Sequence, residues 1–558
     1  MISFEINHFR KYFPILSTKT ENQQPFIYFD NGATTQKPEC VIAAENAFYC
    51  QHNANVHRAS YQLAARATSM FEQARTQTKK FINAANAKEI IWTKGCTESI
   101  NLVAQSWGRS QLNKGDVIVV SYAEHHANIV PWQLVAEQTG ATIKVLPLTK
   151  QGVISANQLS DIICNNTKIV CVSHISNVIG KINPLKDIIA RAKAVGAKIL
   201  IDGAQAIANV KVDVQALGCD FYVFSSHKMY GPTGVGVLYG KEQLLNSMPP
   251  YQSGGEMIDK VSFSGTSFQA LPFKFEAGTP NIAGVIAFSQ AISFINKHQL
   301  NWQHSYKQQL LDYAYKRLQQ VPTLTFITEG KPDISLFSFT LADHYQDVAS
   351  TFDLAGIAVR VGRHCAMPLF EYLAVQGCIR LSLAPYNTFA EVDFVVEQLI
   401  ALVNKTEPVS ISLDQDSERK IDKKLLSSQI LISQFSLLKG WDTKHREIML
   451  LGKKLPRMPK SMRSDTSLIQ GCESAAWLTY SKDSKGCYSF QTDSDAKIIR
   501  GLLAVVLAAF DGKTAAEIIE FNIPEYFEKL GLLQHLSPSR GNGLLAIVNK
   551  IKMIANKD

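Results

Sequence analysis

The sequence lacks the long apolar runs of a membrane protein. Its longest run, residues 501–510, is far shorter than the roughly 20 residues that a transmembrane helix needs. The first eight residues also lack the basic-then-apolar order of a signal peptide. The ten cysteines show no framework spacing and no CxxC pair, so neither a disulfide scaffold nor a metal site is indicated. We therefore expect a cytoplasmic protein without a membrane partner, in which most cysteines are reduced thiols.

A concentrated charge of one sign is also missing. The 57 basic and 48 acidic residues leave a formal charge of +9, which is modest for 558 residues, and the cations are spread along the chain. The sequence has no basic arm and no interleaving of aromatic with basic residues. Nucleic acid is therefore not an expected partner.

What the sequence does contain is a long alternation of strand-like and helical stretches. Between residues 21 and 290, short apolar runs such as 117–120, 143–146 and 169–172 are each followed by polar or helical sequence. This alternation predicts a large α/β domain with a mainly parallel sheet covered on both faces. On such sheets, ligands bind outside the carboxyl ends of the strands.

Three further regions follow this domain. Residues 291–404 combine helical stretches with two strand-like runs and predict a smaller α+β lobe, to which we also assign residues 1–20. Residues 405–424 are polar and poor in aromatic residues, which is typical of a linker. A second globular unit is expected over residues 425–558.

Lys228 is the most informative residue of the sequence. It follows a strand-like run and has small hydroxyl residues and a histidine beside it, in a stretch that ends with glycines and a proline. Upstream, Asp202 stands at the end of another apolar run. Pyridoxal 5′-phosphate (PLP) needs such a pair, because a lysine holds its aldehyde carbon and an aspartate keeps its pyridine nitrogen protonated. Gln205, three residues beyond Asp202, is placed to reach the phenolic oxygen of PLP.

Other residues match the remaining groups of PLP. Thr97 opens an apolar helical run, where a hydroxyl and free backbone N–H groups suit a phosphate, although a simple N-cap has the same sequence pattern. Ser225 and His227 offer further donors. His125 follows a strand-like run, where an imidazole can cover the ring and exchange protons near neutral pH. Together these residues predict a PLP site.

Four motifs carry a resemblance to a known family. They are Asp202-Gly203-Ala204-Gln205, Ser225-Ser226-His227-Lys228, the run 125–132, and Arg363-His364-Cys365-Ala366-Met367-Pro368. Over about residues 1–405 the chain resembles the SufS-type cysteine desulfurases, which are fold-type I PLP enzymes. The resemblance implies an α/β fold of that type, PLP as cofactor, L-cysteine as substrate and a homodimer.

The resemblance also implies how PLP is held. Lys228 would be the Schiff-base lysine, and His125 would stack on the ring. Asp202 and Gln205 would bind the ring nitrogen and the phenolic oxygen. Thr97, Ser225 and His227 would bind the phosphate within their own subunit. Thr279 would reach the phosphate that is bound in the partner subunit.

The same resemblance places the substrate and the nucleophile. Asn177, Arg360 and Arg380 would line the substrate site, where a guanidinium can grip a carboxylate with two hydrogen bonds. Cys365 lies in a predicted loop beside several cations, which lower the pKa of a thiol and so favour a nucleophile over a structural cysteine. Arg363 stands where the family usually has a second histidine, so positive charge is kept and a titratable group is lost.

The second unit has a resemblance of its own. Gly471-Cys472-Glu473-Ser474, Asp493-Ser494-Asp495-Ala496 and Ser537-Pro538-Ser539-Arg540 are similar to motifs of the SufE sulfur-acceptor family, an α+β domain of about 130 residues. Taken alone, a cysteine at position 472 is more often part of a core, but the resemblance makes it the acceptor cysteine. Glu473 replaces the family's usual glutamine, and Arg540 corresponds to an arginine near the acceptor site.

The two resemblances together imply one reaction. L-cysteine would be converted to L-alanine, and the persulfide left on Cys365 would pass to Cys472 and then to a scaffold protein for iron–sulfur cluster assembly. Because the linker joins the two units, tethering would make the transfer intramolecular, and it stays open whether the acceptor serves its own desulfurase or the other one in a dimer. Two alternatives stay open, which are a selenocysteine lyase built on the same site and a desulfurase whose tail serves only for docking or regulation. A transaminase would leave Cys365 without a role.

Overall fold

The computed structural model describes residues 5–19, 25–58, 60–300, 305–405, 427–438, 441–469, 474–532, 536 and 538–557. Within these ranges no helix combines the length and the hydropathy that crossing a bilayer requires. The backbone divides into two compact units. The first comprises Met1–Thr340 with Ala355–Ala401, and the second comprises Leu341–Leu354 with Leu402–Asp558.

The strands are numbered in chain order: β1 (Ile27–Tyr28), β2 (Ile90–Thr93), β3 (Val117–Ser121), β4 (Thr142–Leu146), β5 (Thr167–Ser173), β6 (Lys198–Asp202), β7 (Phe221–Ser225), β8 (Gly236–Gly240), β9 (Ile258–Ser262), β10 (Gly265–Phe268), β11 (Thr325–Phe326), β12 (Leu336–Thr340), β13 (Ile357–Ala358), β14 (Arg360–Gly362), β15 (Cys378–Ser382), β16 (Ala476–Lys482) and β17 (Tyr488–Ser494).

The helices are numbered in the same way: α1 (Ile6–Arg10), α2 (Glu39–Ala47), α3 (Gln62–Phe81), α4 (Cys96–Val103), α5 (Arg109–Gln111), α6 (Val130–Thr139), α7 (Leu159–Ile162), α8 (Leu185–Ala194), α9 (Val214–Leu217), α10 (Glu242–Ser247), α11 (Ile282–His298), α12 (Ser305–Leu318), α13 (Tyr345–Leu354), α14 (Met367–Tyr372), α15 (Phe389–Lys405), α16 (Ser428–Leu437), α17 (Trp441–Lys454), α18 (Lys497–Phe510), α19 (Ala515–Glu520), α20 (Ile523–Leu530) and α21 (Pro538–Ala555).

The first unit is built on a seven-stranded sheet with the order β2-β8-β7-β6-β5-β3-β4. Only β8 runs against its neighbours in this sheet, so the predicted mainly parallel sheet is confirmed. Alternate residues of one strand face different cores, as β3 shows, with Val117 and Val119 in one cluster and Ile118 and Val120 in another. Both faces of the sheet are therefore covered, which explains why its strands are almost continuously apolar.

Polar residues end four neighbouring strands of this sheet. β3 ends in Ser121, β5 in Ser173, β6 in Asp202 and β7 in Ser225. Because β3, β5, β6 and β7 run parallel, their carboxyl ends share one edge, and Ser173 pairs directly with Asp202. The polar edge is the place where parallel sheets bind ligands.

A smaller antiparallel sheet with the order β11-β12-β15-β14 lies after the large one in the sequence. β15 is buried along its whole length. Its residue Arg380 lies directly opposite Arg360 of β14. At the N-terminal end, α1 packs beside this part of the chain, since Arg10 of α1 forms an ion pair of 2.8 Å with Glu391 of α15.

The second unit is an α+β structure around the β16–β17 hairpin and the helix pair α17–α18. A Cβ atom on Gly501 would lie 2.1 Å from the carbonyl oxygen of Ile448, so glycine is needed where these two helices cross. The segment 341–354 groups with this unit. Its residue Asp347 accepts hydrogen bonds from the backbone N–H groups of Lys497 and Ile498 at the start of α18.

Candidate active site

A cavity of about 320 Å³ opens at the polar edge of the large sheet. Its wall combines sheet-end residues with residues of the smaller lobe, namely Gly32, Ala33, Cys96, Thr97, His125, Ala127, Ser173, Ile175, Asn177, Asp202, Ala204, Gln205, Ser225, His227, Lys228, Arg360, His364, Cys365 and Arg380. The sequence-predicted site residues of the first unit are thus brought together, with Thr279 as the exception.

Lys228 extends into this cavity from a short 3₁₀ turn, Ser226–Lys228, directly after β7. Burial lowers the pKa of its amine below the ordinary value, although the nearby carboxylate of Asp202 acts in the opposite direction. Within the described residues the amine accepts and donates no hydrogen bond. A lysine in this state can lose its proton and act as a nucleophile or a base.

Asp202 is 7% exposed and lies at the end of β6. Its Oδ1 accepts hydrogen bonds from the backbone N–H of Ala204 at 2.9 Å and from the thiol of Cys96 at 3.2 Å. Among the described residues nothing donates to its Oδ2. Gly203 is required here, because a Cβ atom would lie 2.1 Å from the ring of Tyr222. One carboxylate oxygen is thus fixed and the other remains able to accept a proton donor from a ligand.

His125 lies on the cavity wall at the start of a 3₁₀ turn. Its Nδ1 accepts from the backbone N–H of Ala127 at 3.0 Å, which leaves Nε2 as the protonated nitrogen of the neutral ring. Burial and the charge of Lys228 lower the pKa of His125 to about 4. The pKa of His227 is also lowered to about 4, by burial and by the charges of Lys228 and Lys37. Both imidazoles are therefore neutral at physiological pH.

The phosphate candidates lie close together at the start of α4. The hydroxyl of Ser225 accepts from the backbone N–H of Cys96 at 2.8 Å, and Thr97 follows in the first turn of the helix. Gln205 donates from Nε2 to the carbonyl of Gly32 at 2.7 Å. A helix N-terminus with a hydroxyl on each side is suited to an anion.

Two arginines of the smaller sheet also line the cavity. Arg380, which is 2% exposed, donates to Asp30 at 3.1 Å and to the carbonyl of Asn177 at 2.9 Å. Arg360 binds the same Asp30 at 2.8 Å and is about half exposed. The buried Nε of Arg380 has no partner among the described residues. This N–H group of the guanidinium is therefore left without a hydrogen bond inside the described part of the chain.

Cys365 is exposed on a loop with unusual backbone geometry. His364 and Cys365 have φ angles of 47° and 56°, a region that residues other than glycine seldom occupy. Two donors from other parts of the chain hold this backbone. The side-chain amide of Asn177 donates to the His364 carbonyl at 2.8 Å, and the backbone N–H of His126 donates to the Cys365 carbonyl at 2.7 Å. Strained backbone supported in this way is typical of functional sites.

Several predicted residues fall outside this cavity. Thr279 lines a separate cavity of about 170 Å³. Arg363 donates to the carbonyl of Gln376 and does not line the site. Cys472 and Glu473 lie outside the described residues, and so does the side chain of Arg540, whose backbone is part of α21.

Asp30 and Cys96 are site residues that sequence reasoning did not identify. Asp30 bridges the two arginines, and Cys96 donates to the carboxylate of Asp202. Asp30 lies two residues after the end of β1 and is the first polar residue after an apolar run, which is a signal of the kind that identified Asp202. Cys96 lies next to Thr97 and has no signal of its own.

The lining residues fit PLP. The cavity holds a lysine amine and one oxygen of a buried carboxylate, neither of which has a hydrogen-bond partner in the described part of the chain, and a neutral imidazole on the wall. Lys228 would hold the aldehyde carbon and Asp202 the pyridine nitrogen, with His125 against the ring. Thr97, Ser225 and His227 would receive the phosphate, and Gln205 the phenolic oxygen.

Comparisons with known proteins agree with this arrangement. Residues 27–395 match the family described as Aminotransferase class-V, and residues 429–555 match SufE, described as Fe-S metabolism associated domain. The chain is 47% identical over 403 residues to a cysteine desulfurase of Cronobacter sakazakii, which covers 72% of this chain and 99% of that protein. It is 48% identical over 397 residues to a probable cysteine desulfurase of Vibrio cholerae, which covers 71% of this chain and 97% of that protein.

Solved structures are similar as well. The crystal structure of the Escherichia coli cysteine desulfurase CsdA, in an S-sulfonic acid form, matches with a TM-score of 0.67 and 41% identity, covering 72% of this chain and 99% of that one. The apo structure of a cysteine desulfurase from Thermococcus onnurineus NA1 matches with a TM-score of 0.68 and 33% identity, covering 73% of this chain and 100% of that one. The fold class predicted from the sequence is confirmed.

Proposed function

The chain belongs to the class V aminotransferase family and carries a SufE domain at its C-terminal side, and on this basis we propose that it is a PLP-dependent cysteine desulfurase with its own sulfur acceptor. The observation that carries the proposal is one cavity lined by Lys228, Asp202, Arg380 and an exposed Cys365. A transaminase would need the first three and would have no use for the exposed thiol.

Each residue has a defined task in this reaction. Arg380, with Asn177 beside it, binds the carboxylate of L-cysteine, and Arg360 adds positive charge at the entrance. Bound PLP would supply an electron sink for the bond that breaks at the α-carbon. Lys228 takes the α-proton on Nζ, a role that its lowered pKa supports. His125 stays neutral and packs against the ring.

Cys365 then takes the sulfur. Its Sγ, as the thiolate, attacks the sulfur of the substrate, so that an S–S bond forms and the C–S bond breaks. The electron pair of the broken bond remains with the substrate carbon, which gains a proton and leaves as L-alanine. The products are L-alanine and a persulfide on Cys365, so no external oxidant or reductant is required.

The sulfur next moves to the acceptor unit. The thiolate of Cys472 attacks the outer sulfur of the Cys365 persulfide, which returns Cys365 as a thiol. We assign residues 1–404 to the desulfurase, 405–424 to the linker and 425–558 to the acceptor domain. We further propose a homodimer in which Thr279 reaches the partner subunit's phosphate site, and an iron–sulfur scaffold protein as the final acceptor.

One experiment tests the relay. The purified holoenzyme is pulsed with L-cysteine, persulfides are trapped with an alkylating agent, and the intact protein and its peptides are weighed. Wild type is compared with Cys365→Ser and Cys472→Ser, and with Cys487→Ser as the control cysteine of the second unit. We expect sulfur on Cys472 in wild type and in Cys487→Ser, on Cys365 alone in Cys472→Ser, and on neither in Cys365→Ser. Sulfur confined to Cys365 in every loaded form would show that the second unit is a docking module.

A further inference from the structure

The backbone carbonyl of His227, the residue before Lys228, is surrounded by donors. It accepts hydrogen bonds from Thr35 N at 3.0 Å, Thr34 Oγ1 at 3.0 Å, Thr35 Oγ1 at 3.2 Å and Lys37 Nζ at 3.2 Å. A carbonyl oxygen has two lone pairs, so four donors are an unusual concentration. All four belong to one short segment, residues 34–37, which lies 190 to 193 positions away in the sequence.

The turn that carries Lys228 explains why this carbonyl needs outside donors. The carbonyl of Ser226 accepts from the N–H groups of Met229 and Gly231, as in a normal turn. Tyr230, with a φ angle of 68°, points its N–H to the hydroxyl of Thr35 at 2.7 Å and away from His227. A backbone carbonyl in the protein interior is costly without a donor, and segment 34–37 supplies the donors that a continuing helix would have provided.

Lys37 is the charged member of this set. Its ammonium also donates to the Thr34 hydroxyl at 3.2 Å and to the Thr35 carbonyl. No carboxylate within the described part of the chain pairs with it, and burial lowers its pKa to about 8. A cation in such a position is unfavourable by itself. All the hydrogen bonds of its ammonium go to backbone and hydroxyl groups around the peptide bond that precedes Lys228.

The backbone and the amine of Lys228 therefore differ in how firmly hydrogen bonds hold them. The peptide bond from which it starts is fixed by segment 34–37, whereas its amine has no hydrogen-bond partner among the described residues. When the backbone of a side chain is fixed and its amine is free of hydrogen bonds, the amine can approach a reacting carbon at a defined distance. A catalytic group needs this geometry.

We propose that Lys37 is a positioning residue for Lys228, acting through the His227 carbonyl to fix the point from which the Lys228 side chain enters the cavity. The proposal rests on the function proposed above, in which Lys228 binds PLP. Lys37 contacts neither the cavity nor, on this account, the cofactor.

The test measures how fast Lys228 captures PLP. Apoenzyme is mixed with PLP, samples are reduced with borohydride at intervals, and the Lys228 peptide is quantified by mass. Lys37→Met should slow the labelling about tenfold, as expected for the loss of a charged hydrogen bond. Lys37→Arg, which keeps a charged donor, should recover part of the rate. With L-cysteine, Lys37→Met should lower kcat and leave KM unchanged, because Arg380 shares no hydrogen bond with segment 34–37.

Lys274 provides a matched control. It also donates to three backbone carbonyls, those of Leu245, Asn246 and Met248, but it does not line the cavity. Lys274→Met should reduce stability as Lys37→Met does and should label at the wild-type rate. An equal slowing in both variants, or a wild-type rate in Lys37→Met, would overturn the proposal while leaving the role of Lys228 intact.

A second variant covers the case in which Lys37→Met does not fold. Thr34→Val deletes a neutral donor to the same carbonyl and should slow the labelling about fivefold. An unchanged rate in this variant would also contradict the proposal. If wild type itself were not labelled at Lys228, the proposed function would be wrong, and this outcome is distinct from both others.

Discussion

Arg360 and Arg380 lie directly opposite each other on β14 and β15, and the single carboxylate of Asp30 binds both. Like charges in opposite positions of a sheet repel each other. The carboxylate of Asp30 offsets one of the two positive charges, so the group of two guanidiniums and one carboxylate is still cationic. A net positive wall of this kind would attract the substrate carboxylate that we propose Arg380 binds.

The first prediction is that substitutions of the two arginines raise KM to different extents because the two side chains differ in burial. Arg380→Lys should raise KM for L-cysteine about tenfold or more, because an ammonium cannot form the two parallel hydrogen bonds of a guanidinium. Arg360→Lys should raise KM only about threefold, because this side chain is about half exposed and its charge is screened by water. Initial rates of L-alanine formation give both values. Equal effects, or a larger effect at Arg360, would contradict the assignment of Arg380 to the carboxylate.

The second prediction concerns the second cysteine of the cavity. Cys96 is 8% exposed, burial raises the pKa of its thiol well above the ordinary value, and it donates to Asp202. We expect Cys96→Ala to weaken PLP binding about fivefold, the effect of one lost hydrogen bond, and Cys96→Ser to keep wild-type affinity. Titration of the apoenzyme with PLP, followed by fluorescence, measures this.

Persulfide mapping gives the matching control for Cys96. Because the Cys96 thiol is buried and protonated, sulfur should be found on Cys365 in all three proteins and on Cys96 in none when each also carries Cys472→Ser. Persulfide on Cys96 would show that the cavity has two nucleophiles and that the exposed loop does not decide which thiol reacts.

The strand-end residues show how far the sequence could predict the site. Asp202 and Ser225 each end an apolar run, and in a parallel sheet such ends must meet, so their place in one cavity follows from local pattern alone. Lys37 and Asp30 were missed because their partners lie about 190 and 350 positions away, at His227 and Arg380. No local periodicity encodes a contact of that kind.

The backbone conformation of the Cys365 loop is a second feature that the sequence did not predict. Its charged neighbours in the sequence predicted an exposed nucleophile, and the thiol is exposed. The positive φ angles at His364 and Cys365 had no sequence signal, because both are residues for which this backbone region is unusual. The geometry depends on donors from Asn177 and His126, which only the tertiary structure brings near.

The third prediction concerns the charge of His125. Its pKa of about 4 in the folded protein lies below the value of about 6.5 expected in the unfolded chain. Between these two values the unfolded state binds more protons, so lowering the pH from 6.5 toward 4 should decrease the stability of the apoenzyme. The ring nitrogens of His125 should show constant NMR shifts between pH 5.5 and pH 8.

The assignment of that resonance comes from His125→Gln, and the reference comes from the same protein in denaturant. In the denatured state the signal should titrate near pH 6.5. Titration near 6.5 in the folded apoenzyme would contradict the buried, neutral imidazole and would allow His125 to act as an acid near neutral pH.

The last prediction concerns Asp493 in the second unit, a fully buried carboxylate bound by three arginines. Arg463 binds it at 2.8 Å, Arg457 at 3.3 Å, and Arg500 forms the third ion pair. Removing the charge with Asp493→Asn would leave these guanidiniums without their common partner, including Arg500, which is 4% exposed. Breaking a buried ion pair on one side typically costs about 3 kcal/mol or more, so we expect a loss of that size in the second unit.

Hydrogen exchange of the full-length protein measures this loss locally. Peptides from β17 and α18 should exchange faster in Asp493→Asn, whereas peptides from β6 and β7 should not change. Asp495→Asn is the matched control, since Asp495 is partly exposed and its Oδ1 lies 3.8 Å from Nε2 of His344, whose pKa is lowered by burial. Asp493 connects residues 457–463 to β17, and in the sequence these two segments lie on either side of Cys472. The variant should therefore also slow sulfur transfer to Cys472 while Cys365 is loaded at the normal rate, and slow loading of Cys365 would contradict a role confined to the acceptor unit.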